Sequence, residues 1–211
     1  MAMFRRAGRR TRRLLSFLRK RAKTPPPERA TLDRLSHTEL FGRRAIVFTD
    51  TADFTKRAAR DGILHFLMVF DRVAKEAEKV IARTGGDLVK VEADSLLLRY
   101  PDVTAACRGV EELEALLKKL NRKLPENEQV RFSYGVGYGD VLDLDDDVFG
   151  LEVNLACKLG EDLARPGEVL LTPAAAAGLD AKTLRRVVSH RIVTFEGRAV
   201  PVQRLKLRRG A

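Results

Sequence analysis

Tryptophan is absent from this 211-residue sequence, and cysteine occurs only at Cys107 and Cys157. Two widely separated thiols support neither a disulfide framework nor a zinc site. They point to a reducing, cytoplasmic setting in which both are small buried residues. The three histidines, His37, His65 and His190, are scattered, and no pair has metal-ligand spacing. No apolar run approaches the roughly 20 residues that a spanning helix needs, so the chain is expected to be soluble or peripherally attached. No internal repeat is visible, which argues against a solenoid. What remains is a length and a 45% hydrophobic, 33% charged composition suited to one globular domain with a short extension.

Acidic residues are missing from the first 23 positions, which hold ten arginines and lysines from Arg5 to Lys23. That segment accounts for +10 of the formal +11, so the rest of the chain carries only +1. The basicity belongs to an arm, and the domain itself gives no electrostatic sign of a nucleic-acid partner. The arm interleaves its cations with Phe4, Leu14, Leu15, Phe17 and Leu18, a pattern suited to a basic amphipathic helix on an anionic membrane surface. A solvated tail is the competing reading. Thr11-Arg12-Arg13 resembles a twin-arginine export signal only superficially, because Arg19, Lys20 and Arg21 interrupt the apolar stretch. Thr24-Pro25-Pro26-Pro27 reads as an extended spacer. Residues 1–40 are therefore taken as arm and linker, and 41–211 as the domain.

Arg44 to Thr49 is a short β-branched and aromatic run, the pattern of a buried strand. Ile63, Phe66, Leu67, Phe70, Val73, Ala77, Val80 and Ile81 recur at spacings of three and four and predict a helix ending at Gly85-Gly86. Leu88 to Tyr100 reads as two strands joined by a tight turn near Ala93-Asp94. A second helix follows through Val110, Leu113, Leu116, Leu117 and Leu120, then a strand from Val130 to Val136. Further elements are expected at Val153–Leu163, Glu168–Leu171 and Arg191–Leu207. The order is that of an α+β ferredoxin-like βαββαβ sheet with helices on one face.

Asp50 closes the first strand in Phe48-Thr49-Asp50-Thr51-Ala52-Asp53-Phe54-Thr55, and Asp94 lies at the hairpin turn in Lys90-Val91-Glu92-Ala93-Asp94. With the first and third elements of the order as neighbours, both carboxylates approach one point. Two carboxylates are what protein commonly offers to Mg²⁺ on a nucleoside triphosphate, although aspartates in turns are common.

Those stretches, with Gly85-Gly86 between them and Asp147-Val148-Phe149-Gly150-Leu151-Glu152-Val153-Asn154-Leu155-Ala156-Cys157-Lys158-Leu159 after, resemble the signature of class III adenylate and guanylate cyclases over residues 44–206. The resemblance implies a cyclase fold and conversion of ATP to cyclic AMP and pyrophosphate, with two divalent ions, Mg²⁺ or Mn²⁺, held by Asp50 and Asp94. One would activate the ribose 3′-hydroxyl and the other would neutralise the triphosphate. Backbone N–H groups from Thr51 through Phe54 and Thr55 would cradle phosphates. Asn154 would orient the ribose, Lys158 would meet transition-state charge, and Arg198, after Phe195-Glu196-Gly197, would contact phosphate. Adenine presents an acceptor at N1 and a donor at its amino group, which Lys90 and Asp147 complement; guanine reverses both. Lys90 as a solvated strand residue and Asp147 as one member of the acidic turn 143–147 is the competing reading. The resemblance further implies a head-to-tail homodimer, because the two residue sets of one site come from opposite protomers.

Three positions depart from the family pattern: Lys158 replaces an arginine, while Ala93 and Asp53 replace glycines. Lysine lacks the planar fork of arginine, Ala93 is strained if its turn needs a positive φ, and Asp53 adds negative charge unless it faces solvent or caps a helix. A catalytically silent, nucleotide-binding regulatory module is the alternative from a different class. Gly85-Gly86-Asp87 also resembles the hairpin of diguanylate cyclases, but Leu88-Val89 follow in place of that signature's acid and aromatic residues.

Overall fold

The computed structural model describes residues 8–195 and 197–208; Phe4, Arg5 and Arg6 of the arm and Glu196 of the Phe-Glu-Gly stretch lie outside the described residues. Two helices lead the chain, α1 (Arg9–Lys23) and α2 (Pro26–Leu40). The expected extended spacer is absent. Pro26 and Pro27 occupy the first turn of α2, where a missing N–H removes no helical hydrogen bond. Arg21 grips Asp33 through two bonds of 2.7 and 3.0 Å and closes the pair into a helical hairpin. Leu14 of α1 and Leu40 of α2 are buried with Leu144, so residues from 9 onward are folded against the sheet rather than appended to it.

The centre of the sheet is β1 (Phe41–Thr51), longer than the 44–49 run that marks it. Ala45 and Val47 join one apolar cluster while Ile46 and Phe48 join another on the opposite face. A strand covered on both faces reads as a continuous apolar run, which is why no alternation marks this one in the sequence. A short helix α3 (Phe54–Asp61) leads into α4 (Ile63–Arg83). Phe66, Phe70, Val73, Ala77, Val80 and Ile81 face inward as their spacing predicts, but Ile63 and Leu67 are 46% and 42% exposed. The stripe runs instead through Val69 and Ala74. The helix stops at Thr84, whose hydroxyl bonds the Val80 and Ile81 carbonyls, before Gly85 at φ 85°.

The hairpin β2 (Asp87–Glu92) and β3 (Ser95–Tyr100) follows, then α5 (Val103–Asn121) and β4 (Phe132–Asp143). After these come β5 (Val148–Phe149), α6 (Leu151–Lys158), a π-helical turn at Leu159–Leu163 and β6 (Val169–Leu171). Two short helices, α7 (Pro173–Ala177) and α8 (Ala181–Leu184), precede a hairpin of β7 (Val187–Phe195) and β8 (Arg198–Leu205). The sheet order is β2-β3-β1-β4-β6-β8-β7, with β5 beside β4. Its first four strands are the expected ferredoxin-like α+β core.

Two expectations need correction. The first and third elements, β1 and β2, are not neighbours. The helical crossover returns β2 parallel to β1, and the hairpin then lays β3 antiparallel between them. Nor do all helices share a face. Helices α4 and α5 cover one side through a single cluster, whereas α6 covers the other through Val153 and Ala156. Close approach of α6 to β4 depends on Gly135, where a Cβ would lie 1.9 Å from the Ala156 carbonyl oxygen. Cys107 is buried and Cys157 half-buried; loss of solvation pushes their thiols up to about 12 and about 11, so neither is a ready thiolate.

Candidate active site

Strand β1 delivers Asp50 near its end, and the β2–β3 turn delivers Asp94. The register Thr49↔Leu96 sets these two points side by side. It is β3, not β2, that brings Asp94 to β1. Thr51 clamps the turn: its hydroxyl donates to the Asp94 carbonyl at 2.6 Å. Thr49 accepts from Leu96 N–H at 3.0 Å. Burial raises the pKa of Asp94, only partly offset by the N–H groups of Asp94 and Thr51 that face its carboxylate. Asp50 is pushed up to about 6, chiefly by lost solvation and then by the charges of Asp94, Glu161 and Asp162. No described residue hydrogen-bonds or ion-pairs with the Asp50 carboxylate.

Two crowded carboxylates, Asp50 half-buried and Asp94 buried, without a cationic partner among the described residues suit a hard divalent ion. The donor set fits Mg²⁺ or Mn²⁺ in that respect. Among the described residues no three His, Cys, Asp or Glu side chains converge on a metal position. An ion at Asp50 and Asp94 would complete its shell from water or substrate phosphate, as Mg²⁺ commonly does.

Beyond Asp50 the chain turns through Asp53, at φ 60°, into α3. Asp53 does not cap the helix. Its carboxylate meets Lys56 at 3.3 Å and Arg131 at 3.7 Å, so its charge is turned toward cations. Ala52, Asp53, Lys56, Arg57, Arg60 and Arg131 border a cavity of about 370 Å³. Phe54 packs edge-on against Phe66 at 4.7 Å, which makes its ring an anchor for the turn, while Thr55 is exposed.

Lys90 and Asp147 stand 57 positions apart in sequence and meet in space, Nζ lying 3.1 and 3.2 Å from the two carboxylate oxygens. Glu92 also reaches Lys90 at 2.8 Å. Burial alone would lower the lysine, but bonds to Glu92 and Asp147 outweigh it and raise its pKa. The β2–β3 register shifts between Leu88 and Lys90, a bulge of the kind that re-aims a side chain.

Asn154 and Lys158 lie one helical turn apart on α6, and Asn154 is exposed. Lys158 is held by Asp162 at 2.7 Å. Glu152 fixes the start of α6 by accepting from Tyr138 N–H at 3.1 Å and the Thr172 hydroxyl at 2.6 Å. Arg198 opens β8 opposite Phe195, exposed at the end of the β7–β8 hairpin.

The chain thus assembles Asp50 with Asp94, Lys90 with Asp147, and Asn154 with Lys158. Among the described residues no hydrogen bond or ion pair joins the Asp50–Asp94 end to Lys90, Asp147 or Arg198. Sequence reasoning missed the clamp that the Thr51 hydroxyl places on the Asp94 turn, and Glu161 and Asp162 beside the acidic pair. Thr51 is read from sequence only for its backbone N–H, and the two acids come from the π-turn, which carries no periodic signal.

No protein-family model matches the chain. A Rhizobium meliloti protein named as a candidate adenylate cyclase is 27% identical over 128 residues, 61% of this chain; the match spans only 22% of that protein's length. The adenylate/guanylate cyclase/hydrolase of Silicibacter pomeroyi superposes with a TM-score of 0.65 at 23% identity, covering 78% of this chain and 96% of that one. The catalytic core of a rhodopsin-guanylyl cyclase with converted specificity, in complex with ATPαS, gives 0.67 at 16% identity over 80% and 97%. A Trypanosoma brucei adenylate cyclase in its monomeric state gives 0.62 at 20% identity over 78% and 89%. The structural neighbours agree, and the chain carries the fold of adenylate and guanylate cyclase catalytic domains.

Proposed function

We propose that this chain is the catalytic domain of an adenylate cyclase that converts ATP to 3′,5′-cyclic AMP and pyrophosphate for intracellular signalling. The observation that carries the reading is the contact of Lys90 with Asp147. An ammonium beside a carboxylate offers a donor to adenine N1 and an acceptor to its amino group, while guanine would leave both unpaired. Divalent ions held by Asp50 and Asp94 would supply Lewis-acid activation of the 3′-hydroxyl and charge neutralisation at the triphosphate. The 3′-hydroxyl gives up its proton to solvent and its oxygen bonds to the α-phosphorus as the bond from that phosphorus to the leaving pyrophosphate oxygen breaks. Thr51 N–H faces Asp94 and Ala52 N–H donates to the Arg131 carbonyl, so it is the N–H groups from Asp53 to Thr55 that receive phosphate at the start of α3. Asn154 orients the ribose, Lys158 meets the charge that builds on phosphoryl oxygens, and Arg198 contacts the triphosphate.

As the cyclase resemblance implies, the reading includes a composite site in a head-to-tail homodimer, each protomer completing the other. On an anionic membrane surface the contact would be electrostatic, through exposed Arg13, Lys20 and Lys23 of α1, because Leu14 is turned inward. No helix of the described residues is long and apolar enough to cross a membrane. The Lys158–Asp162 pair favours a second reading, a weak or silent nucleotide-binding module, since the lysine must leave its carboxylate to act. Incubation with ATP and Mn²⁺ or Mg²⁺ decides between them. The proposal expects cyclic AMP, abolished by Asp50→Ala; bound ATP without product above that control supports the second reading.

A further inference from the structure

The loop that carries Asp147 is held both by the sheet and by the leading helices. Asp143 at its start is buried and bonded to three arginines from three elements: Arg10 of α1, Arg44 of β1 (3.1 Å) and Arg99 of β3. Arg99 also donates to the Leu144 carbonyl at 2.8 Å. Leu144 itself is fully buried between Leu14 and Leu40 of the two leading helices. Asp145 accepts from Thr11 N–H at 3.0 Å and from its hydroxyl at 3.3 Å, and Asp146 accepts from the same hydroxyl at 3.2 Å. The start of α1 comes so near that a Cβ on Gly8 would lie 2.3 Å from Asp145 Cγ. The loop closes on itself through Leu144 N–H to the Asp147 carbonyl at 2.9 Å, and the Asp147 carboxylate is trimmed by Val148 N–H at 2.8 Å.

Four of the five loop residues are therefore fixed by groups that make no contact with Asp147, and two of the four, Asp145 and Asp146, by α1 alone. An exposed turn of acidic residues would otherwise repel itself open. Arg10 joins Arg44 and Arg99 in meeting the charge of Asp143, and Thr11 sets the path of Asp145 and Asp146, which leaves Asp147 beside Lys90. We infer that α1, through Arg10 and Thr11, positions Asp147 for purine recognition, so that the leading helix sets base specificity. This inference rests on the adenylate cyclase reading and adds to it: Arg10, Thr11 and Asp143 are positioning residues that act through Asp147. It also gives the helical hairpin a route to the site, because displacing α1 would release the loop.

The test compares Arg10→Gln and Thr11→Val with the unsubstituted full chain. Arg10 is 44% exposed and Thr11→Val keeps its shape, so both variants are expected to fold. For each, KM and kcat are measured with ATP and GTP, and equilibrium affinity with 3′-deoxy-ATP, which binds but cannot cyclise. The expected result is a KM for ATP raised about five- to tenfold with kcat within about twofold, a matching loss of 3′-deoxy-ATP affinity, and a lower ATP-over-GTP ratio. Arg10→Lys should recover most of the selectivity. A merely structural role would lower melting temperature and leave the ratio unchanged. Turnover by the unsubstituted chain with all three quantities unmoved in the variants overturns the inference alone. Absence of both turnover and 3′-deoxy-ATP binding in the unsubstituted chain overturns the functional reading and the inference together.

Discussion

Asp50 is strained electrostatically in the absence of an ion, and removing its charge should stabilise the protein. Moving a carboxyl from 3.8 to about 6 corresponds to about 3 kcal/mol of bias against ionisation at 1.36 kcal/mol per pH unit. The group is only half-buried, so water screens much of that, and about 1.5 kcal/mol is the expected effect. The folded value is raised, so the folded state binds the proton more tightly than the unfolded one. No penalty exists below about pH 3, where both states are protonated; it grows as pH rises and is complete above about pH 6. Asp50→Asn, unfolded by heat or urea in EDTA at fixed protein concentration, should be more stable than the unsubstituted chain at pH 8 by about 1.5 kcal/mol, or roughly 3–6 °C in Tm. At pH 3 the two should coincide. Mn²⁺ should stabilise the unsubstituted chain selectively and shrink the gap at pH 8. A difference independent of pH, or a destabilised variant at pH 8, would refute the reasoning that Asp50 is a charge awaiting a cation.

Ala93 and Asp53 hold φ of 50° and 60°, a region that costs a residue with a Cβ about 1 kcal/mol; Ala93→Gly and Asp53→Gly should each raise denaturant stability by about that amount. Gly135→Ala should destabilise by about 3 kcal/mol or more, because the new Cβ would meet the Ala156 carbonyl oxygen at 1.9 Å and push α6 off the sheet; urea unfolding reads this directly. Lys158→Arg should raise kcat roughly tenfold with little change in KM, since the guanidinium grips two phosphoryl oxygens where the ammonium grips one. Lys158→Ala should nearly abolish turnover while leaving the oligomeric state seen by analytical ultracentrifugation unchanged.

The core of the fold is legible in the sequence because its signals are local. The spacing of Phe66, Phe70, Val73 and Ala77 gives α4, and the tight turn at Ala93-Asp94 gives the hairpin. The strand order is not local: nothing in residues 87–100 says that β3 rather than β2 lies against β1, since that is settled by how the crossover returns. The prolines misled for a related reason. A proline run is compatible with a spacer or with the first turn of a helix, and the contacts of Leu40 with Leu14 and Leu144 decide for the helix. At the candidate site, the pairing of Lys90 with Asp147 followed from base chemistry and family resemblance, and the two side chains do meet. The acids of the π-turn and the arginines around Asp143 were invisible because each acts across long sequence separations. The departures at Ala93 and Asp53 were legible as glycine positions, and they are the two non-glycine residues with positive φ among those described.

The central claim, a cyclase site shared between two copies of the chain, is tested most directly by mixing two inactive variants. Asp50→Ala lacks a carboxylate of the acidic pair and Lys158→Ala lacks the transition-state cation, yet a dimer with one of each contains one site with both. Cyclic AMP is measured from ATP and Mn²⁺ for each variant alone and for their equimolar mixture. The account predicts that each alone is silent and that the mixture recovers up to about a quarter of unsubstituted activity, given random re-pairing of protomers. A mixture no more active than either variant, with the unsubstituted chain active, would place the whole site within one protomer; an unsubstituted chain that makes no cyclic AMP would contradict the account outright.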